Sequence, residues 1–154
     1  MSIRVKSDAF GDMEKIPEKY TCDGEGISPP LGWERVPRAA ESLVLFGEDP
    51  DAPGGVFVHW VVYDIPASEQ GLDENQPLTA LLPNRAKQGL NTAGETGYYR
   101  PCPPHGTHRY VFKLFALDQK LNLLPGKTKS QVEKAMKGHV IAQGELVGVY
   151  SRGK

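Results

Sequence analysis

Val56-Phe57-Val58-His59-Trp60-Val61-Val62-Tyr63 sets one imidazole among β-branched and aromatic side chains. Residues of that kind favour extended backbone. With both sides of the pleat apolar, the segment reads as a central strand covered on both faces. It extends to residue 65, and runs of similar composition occupy residues 3–7, 42–48, 109–117 and 140–150. In the fourth of these five strands, Tyr110, Phe112, Leu114 and Ala116 share one face by the period of two. His108 joins that face if the strand begins early enough. Helix is scarce. Ser130-Gln131-Val132-Glu133 reads as a capping box, and Gly138 closes the helix that it opens. The class is mainly β, with one or two short helices.

The 154 residues suit one domain, 1–154, large enough to bury a core unaided. Thirteen prolines and 17 glycines cut the chain into short pieces, with no linker, repeat or low-complexity tract between them. Eighteen basic and 19 acidic residues nearly cancel, so no overall field draws the molecule to nucleic acid. No run approaches the roughly 20 apolar residues of an integral membrane segment. The N-terminus has no apolar stretch of signal-peptide length. The expected location is cytoplasmic. In a reducing cytosol the default for Cys22 and Cys102 is two free thiols; the alternative is a long-range disulfide tying two turn-rich loops together.

Two polar segments adjoin the strands. Asp49-Pro50-Asp51-Ala52-Pro53 precedes the 56–65 run, and Gly106-Thr107-His108-Arg109-Tyr110 leads into the 109–117 run. Pro and Gly pin the backbone there, as suits polar side chains held at the mouth of a pocket. His59 is the most unusual residue by context, because burying an imidazole is costly unless its nitrogens find partners. Either it is a satisfied core histidine, or a carboxylate of the upstream turn, Asp49 or Asp51, accepts from one nitrogen and leaves the other for a ligand. One of the two aspartates is expected to cap turn N–H groups. Arg100 and His105 belong to a Pro-rich loop that contains Cys102 and Pro103.

Cys102-x-x-His105-x-x-His108 has the spacing of zinc ligands, but no second ligand pair accompanies it, and no metal is expected. There is no Gly-x-Ser-x-Gly, Walker loop or dinucleotide-binding glycine pattern. No cofactor is expected. Nothing marks a nucleophile, so a hydrolase using His59 and Asp49 is the minor reading and a non-enzymatic protein the major one.

On these residues the chain resembles the phosphatidylethanolamine-binding protein family, in its bacterial and archaeal Raf-kinase-inhibitor-like branch. The motifs are Tyr20-Thr21-Cys22-Asp23-Gly24 through Trp33, Glu48 to Pro53, His59-Trp60-Val61-Val62-Tyr63, Pro101 to Pro104, Gly106 to Tyr110 and Glu145 to Tyr150. They span nearly the whole chain in the family's order. The resemblance implies a β-sandwich: a large central antiparallel sheet packed on a smaller sheet. It also implies a small cavity for phosphate, phosphoryl-ethanolamine or acetate. Asp49 and His59 would form one wall of that cavity, and His108 and Tyr110 the other, with backbone N–H near Cys102 facing the anion. Asp51, Pro53, Cys102 and Pro103 complete the expected ligand-binding set, with Tyr99 and Arg100 at the rim.

The sequence departs from the branch at Asn91-Thr92-Ala93-Gly94 and Tyr98-Tyr99-Arg100, where relatives usually read Asn-Asp-(Phe or Trp)-Gly and Tyr-Gly-Gly. Arg100 then either strengthens anion binding or plugs the entrance. The expected function is binding of a small anion or phosphorylated ligand, as a monomer or homodimer. The alternative is inhibition of a serine protease or a kinase.

Overall fold

Alternation in the long runs builds the scaffold of the computed structural model, which describes residues 2–152. Its strands are β1 (Arg4–Lys6), β2 (Glu14–Lys15), β3 (Leu31–Glu34), β4 (Ser42–Asp49), β5 (Phe57–Pro66), β6 (Gly71–Leu72), β7 (Lys87–Gln88), β8 (His108–Leu117) and β9 (Val140–Tyr150). One α-helix, α1 (Lys129–Met136), and a single 3-10 turn, Glu18–Tyr20, complete the described elements. A six-stranded sheet runs in the order β2-β9-β8-β4-β5-β7, and a three-stranded sheet in the order β1-β3-β6. All pairings are antiparallel except β2 with β9. This is the expected mainly β sandwich, with one parallel pairing added at the edge of the large sheet.

Each face of the large sheet is buried against a different layer. Leu43, Leu45, Trp60, Val62, Tyr110, Phe112, Leu114 and Ala116 pack toward Val5, Leu31, Trp33 and Leu72 of the small sheet. Val44, Phe46, Val61, Tyr63 and Leu117 face Val132 and Met136 of α1. Full burial of each such aliphatic side chain contributes about 1.5–3 kcal/mol. Tyr110, Phe112, Leu114 and Ala116 therefore share a face, as the alternation predicts.

Several local expectations are corrected. β5 is covered on both faces, but it is not central: only Val62 and Tyr63 pair with β7. Over residues 58–61 its outer edge is satisfied by the 89–99 loop, through Gly89 N–H to the Val61 carbonyl, Thr92 N–H to the Val58 carbonyl and Tyr99 N–H to the His59 carbonyl. The Thr92 hydroxyl oxygen also accepts from Val58 N–H at 2.7 Å. The substituted Asn91-Thr92-Ala93-Gly94 stretch thus holds the strand that carries His59.

The helix is capped two residues earlier than Ser130. Gln131 N–H donates to Thr128 Oγ1, and the Thr128 N–H donates to Gln131 Oε1. Gly138, at φ 85°, follows the C-cap Lys137 and ends the helix where expected.

Cys22 and Cys102 are not free thiols. They form a disulfide across 80 residues, with Cα atoms 5.4 Å apart. Cys22 N–H also donates to the Pro101 carbonyl, so the two loops are joined by main chain as well. Such bonds are rare in a reducing cytosol outside hyperthermophiles. No helix among the described residues is long and apolar enough to cross a membrane.

Candidate functional site

Three strand ends meet at one edge of the sandwich: the last residue of β4 and the first residues of β5 and β8. Strict alternation along β4 sends Glu48 to the helical side, beside Lys113 and Lys129, and Asp49 to the other. On β8 the same period places His108 and Tyr110 on the side of Asp49. β5 reaches that side by a different route. Gly47 pairs with Trp60 but Glu48 pairs with Val58, leaving His59 as an extra residue without a partner. Val58 packs with the helical-side cluster and Trp60 with the other. The bulge therefore turns His59 to the same side as Trp60, beside Phe57. An inserted residue of this kind re-aims a side chain without breaking the sheet.

These groups surround a cavity of about 200 Å³, closed outside by the 99–104 loop and the 52–53 turn. Asp49, His59, His108 and Tyr110 are each no more than 7% exposed. His59 lies 5.3 Å from Tyr110, ring centre to ring centre, and 4.7 Å from Phe57. The imidazole partners differ from the expected ones. His108, not His59, donates from Nδ1 to Asp49 Oδ2, at 2.6 Å. His59 donates from Nδ1 to the Tyr99 carbonyl, also at 2.6 Å, because the bulge turns it toward that loop. Both acceptors lack hydrogens, so both rings carry the proton on Nδ1 and keep Nε2 for a ligand.

Burial holds the His59 pKa below the usual histidine value, although the Tyr99 carbonyl and the Asp49 charge pull the other way. The ring is neutral at pH 7, and its Nε2 is then an acceptor. Burial and the nearby carboxylates of Asp49 and Asp51 push the Tyr110 hydroxyl well above its ordinary pKa, so it stays a donor. No described residue takes that hydrogen bond.

Asp51 does not line the cavity. Its carboxylate takes the Arg109 N–H, Nε and a terminal guanidinium nitrogen at 2.8–2.9 Å, which holds the 49–55 turn against the start of β8. Those bonds push the Asp51 pKa down to about 2. Asp49 plays the turn-capping part as well, since its Oδ1 accepts from Asp51 N–H at 2.8 Å. Pro53, Cys102 and Pro103 line the cavity as expected, and so do Tyr99 and Arg100 at the rim. Ala52, Phe57 and Pro104 also line it and were not singled out from sequence. Phe57 was within reach of that reading, being an aromatic residue two positions from His59. The Cys102 sulfur is engaged with Cys22, so the Cys102-x-x-His105-x-x-His108 spacing does not gather as a ligand set.

Comparison with known proteins agrees with this architecture. Residues 6–151 match the family model described as phosphatidylethanolamine-binding protein. A UPF0098 protein of Methanothermobacter thermautotrophicus is 51% identical over 98% of this chain and 100% of its own length. A phosphatidylethanolamine-binding protein homologue from Chlamydia trachomatis superposes with a TM-score of 0.91 at 46% identity, covering 99% of each chain. YbcL of E. coli gives 0.90 at 30% identity, over 99% of this chain and all of its own. With its sandwich, its strand-end cavity and this match over nearly its whole length, the chain belongs to the phosphatidylethanolamine-binding protein family.

Proposed function

We propose that the protein binds a small anionic or phosphorylated ligand in the cavity between Asp49, His59, His108 and Tyr110, and does so without chemistry. The observation that carries this is the convergence of the two imidazoles, their Nδ1 atoms already engaged, on a space that the unpartnered Tyr110 hydroxyl shares. A phosphate oxygen there accepts from Tyr110 and, once the rings are protonated, from Nε2–H of each. The family's name points to the same chemistry, a phosphoryl-ethanolamine headgroup.

Asp49 favours binding over catalysis. Its two oxygens already accept from Asp51 N–H and His108 Nδ1–H, so it orients a ring rather than collecting a proton from substrate. No serine or threonine lines the cavity, and its one cysteine is oxidised, so it offers no hydroxyl or thiol nucleophile of the usual kind.

The test is an NMR titration with inorganic phosphate and with phosphoryl-ethanolamine at two pH values. Saturable amide shifts clustered at Asp49, His59 and residues 105–110, stronger at the lower pH, are expected. No saturable shift there at either pH removes the anion reading. Steady release of phosphate from the monoester, abolished by His59→Ala, would replace it with a hydrolytic one.

A further inference from the structure

Among the side chains that line the cavity, two hold a charge that does not depend on the imidazoles: Asp49, negative, and Arg100, positive. We infer that Arg100 makes this site selective for doubly charged anions over singly charged ones. The inference rests on the anion reading of the cavity and assigns its specificity to one residue.

Arg100 is placed for that work and is not engaged elsewhere. Its guanidinium carbon lies 5.4 Å from the centre of the Tyr99 ring, which leaves the N–H edge free. Its stem rests on Gly26, where a Cβ atom would lie 2.8 Å from Arg100 Cδ. Gly26, at φ 74°, belongs to the loop that the Cys22–Cys102 disulfide ties to the 100–104 segment. The stem therefore packs against a tethered loop, while the residue itself stays exposed. No carboxylate pairs with Arg100 among the described residues, in contrast to Arg109 on Asp51 and Arg152 on Asp23.

The cavity has two unlike ends. Inside, Tyr110 O–H is an uncharged donor, the His59 ring is neutral at pH 7, and Asp49 opposes any anion, although two hydrogen bonds soften its charge. At the mouth, Arg100 offers a full charge on a planar fork. A tetrahedral dianion can present one oxygen to Tyr110 and another edge to the guanidinium, with charge enough for both. A monoanion gains half the attraction to Arg100, because Coulomb energy scales with the ligand's charge. The groups that face a bound ion are Asp49, His59, His108 and Tyr110 from the strands, and Tyr99 and Arg100 from the loop.

Sulfate and methanesulfonate separate these cases, since their charges stay at two and one across the working pH range. Affinities of each for the wild type, Arg100→Gln and Arg100→Lys would be measured by calorimetry at pH 7.5 and low salt. Wild type should prefer sulfate. Arg100→Gln keeps the stem and should lose sulfate affinity about tenfold, or about 1.4 kcal/mol, and methanesulfonate affinity about threefold. Arg100→Lys keeps the charge and should keep the preference. Equal loss for both anions in Arg100→Gln, no loss at all, or loss of the preference in Arg100→Lys overturns the assignment. A wild type that binds both ions equally overturns it while sparing the anion reading. A wild type that binds neither, at pH 7.5 or pH 5.5, removes both.

Discussion

Asp49 Oδ2 and His108 Nδ1 lie 2.6 Å apart in a pair almost closed to solvent, and the carboxylate thereby decides which nitrogen of the ring meets a ligand. Replacing the carboxylate by an amide offers Nδ1 a donor as readily as an acceptor. In Asp49→Asn the proton is expected to move to Nε2 of His108. Imidazole 15N shifts at pH 7.5 would show Nε2 changing from a bare to a protonated nitrogen; unchanged shifts would mean that the Asn carbonyl oxygen has taken the carboxylate's place. Asp49→Ala strands both Asp51 N–H and the ring, and should cost about 2–4 kcal/mol in urea unfolding.

Acid should bring binding and stability into opposition at His59. Its folded pKa lies below the ordinary value near 6.5. As pH falls from that value the unfolded chain takes up the proton first, so this group's contribution to stability declines until the folded pKa is passed. On the proposed anion reading, sulfate is expected to favour the imidazolium form and to restore part of the loss. Melting temperature against pH, with and without saturating sulfate, would show curves that diverge below pH 6.5. Parallel curves would mean that His59 does not touch the anion.

Tyr110→Phe deletes a donor and keeps the packing of a residue that is 2% exposed. Sulfate affinity should fall by about 1.5–3 kcal/mol, the worth of one hydrogen bond to a charged acceptor, with the urea midpoint little changed. A mutant that binds as tightly as wild type would place the hydroxyl outside the anion's reach.

The disulfide closes a loop of about 80 residues, so its loss should destabilise the fold by about 4–5 kcal/mol. The Cys22→Ser, Cys102→Ser double variant would be compared with the oxidised wild type by chemical unfolding. The cavity wall is attached at Cys102, so anion affinity should fall with stability. Affinity that survives intact would show that Pro101 and Pro103 hold the loop unaided.

The sequence spoke clearly wherever alternation ran unbroken. His108, Tyr110 and Phe112 share a face because β8 has no bulge between residues 108 and 116, and counting by two suffices. It misled at His59, since nothing in Val58-His59-Trp60 announces an extra residue, and the Asp49 carboxylate went to the other imidazole. β2, β6 and β7 are two residues long and carry no periodicity to detect. Thr128-x-x-Gln131 and Ser130-x-x-Glu133 both fit a capping box. The turn before them decides, with Gly126 at φ 87° and Lys127 N–H donating to the Tyr63 hydroxyl. The disulfide needed a distance between two loops 80 residues apart, which composition cannot supply.

The bulge in β5 makes the imidazole an addition to the sandwich rather than a part of it. Delete His59 and the ladder closes: Phe57, Val58 and Trp60 alternate without a break, each on the face it now occupies. The cost is two bonds to Tyr99, from its N–H to the His59 carbonyl and from His59 Nδ1–H to its carbonyl. One codon gained or lost is therefore enough to arm or disarm this wall of the cavity while the architecture around it stands.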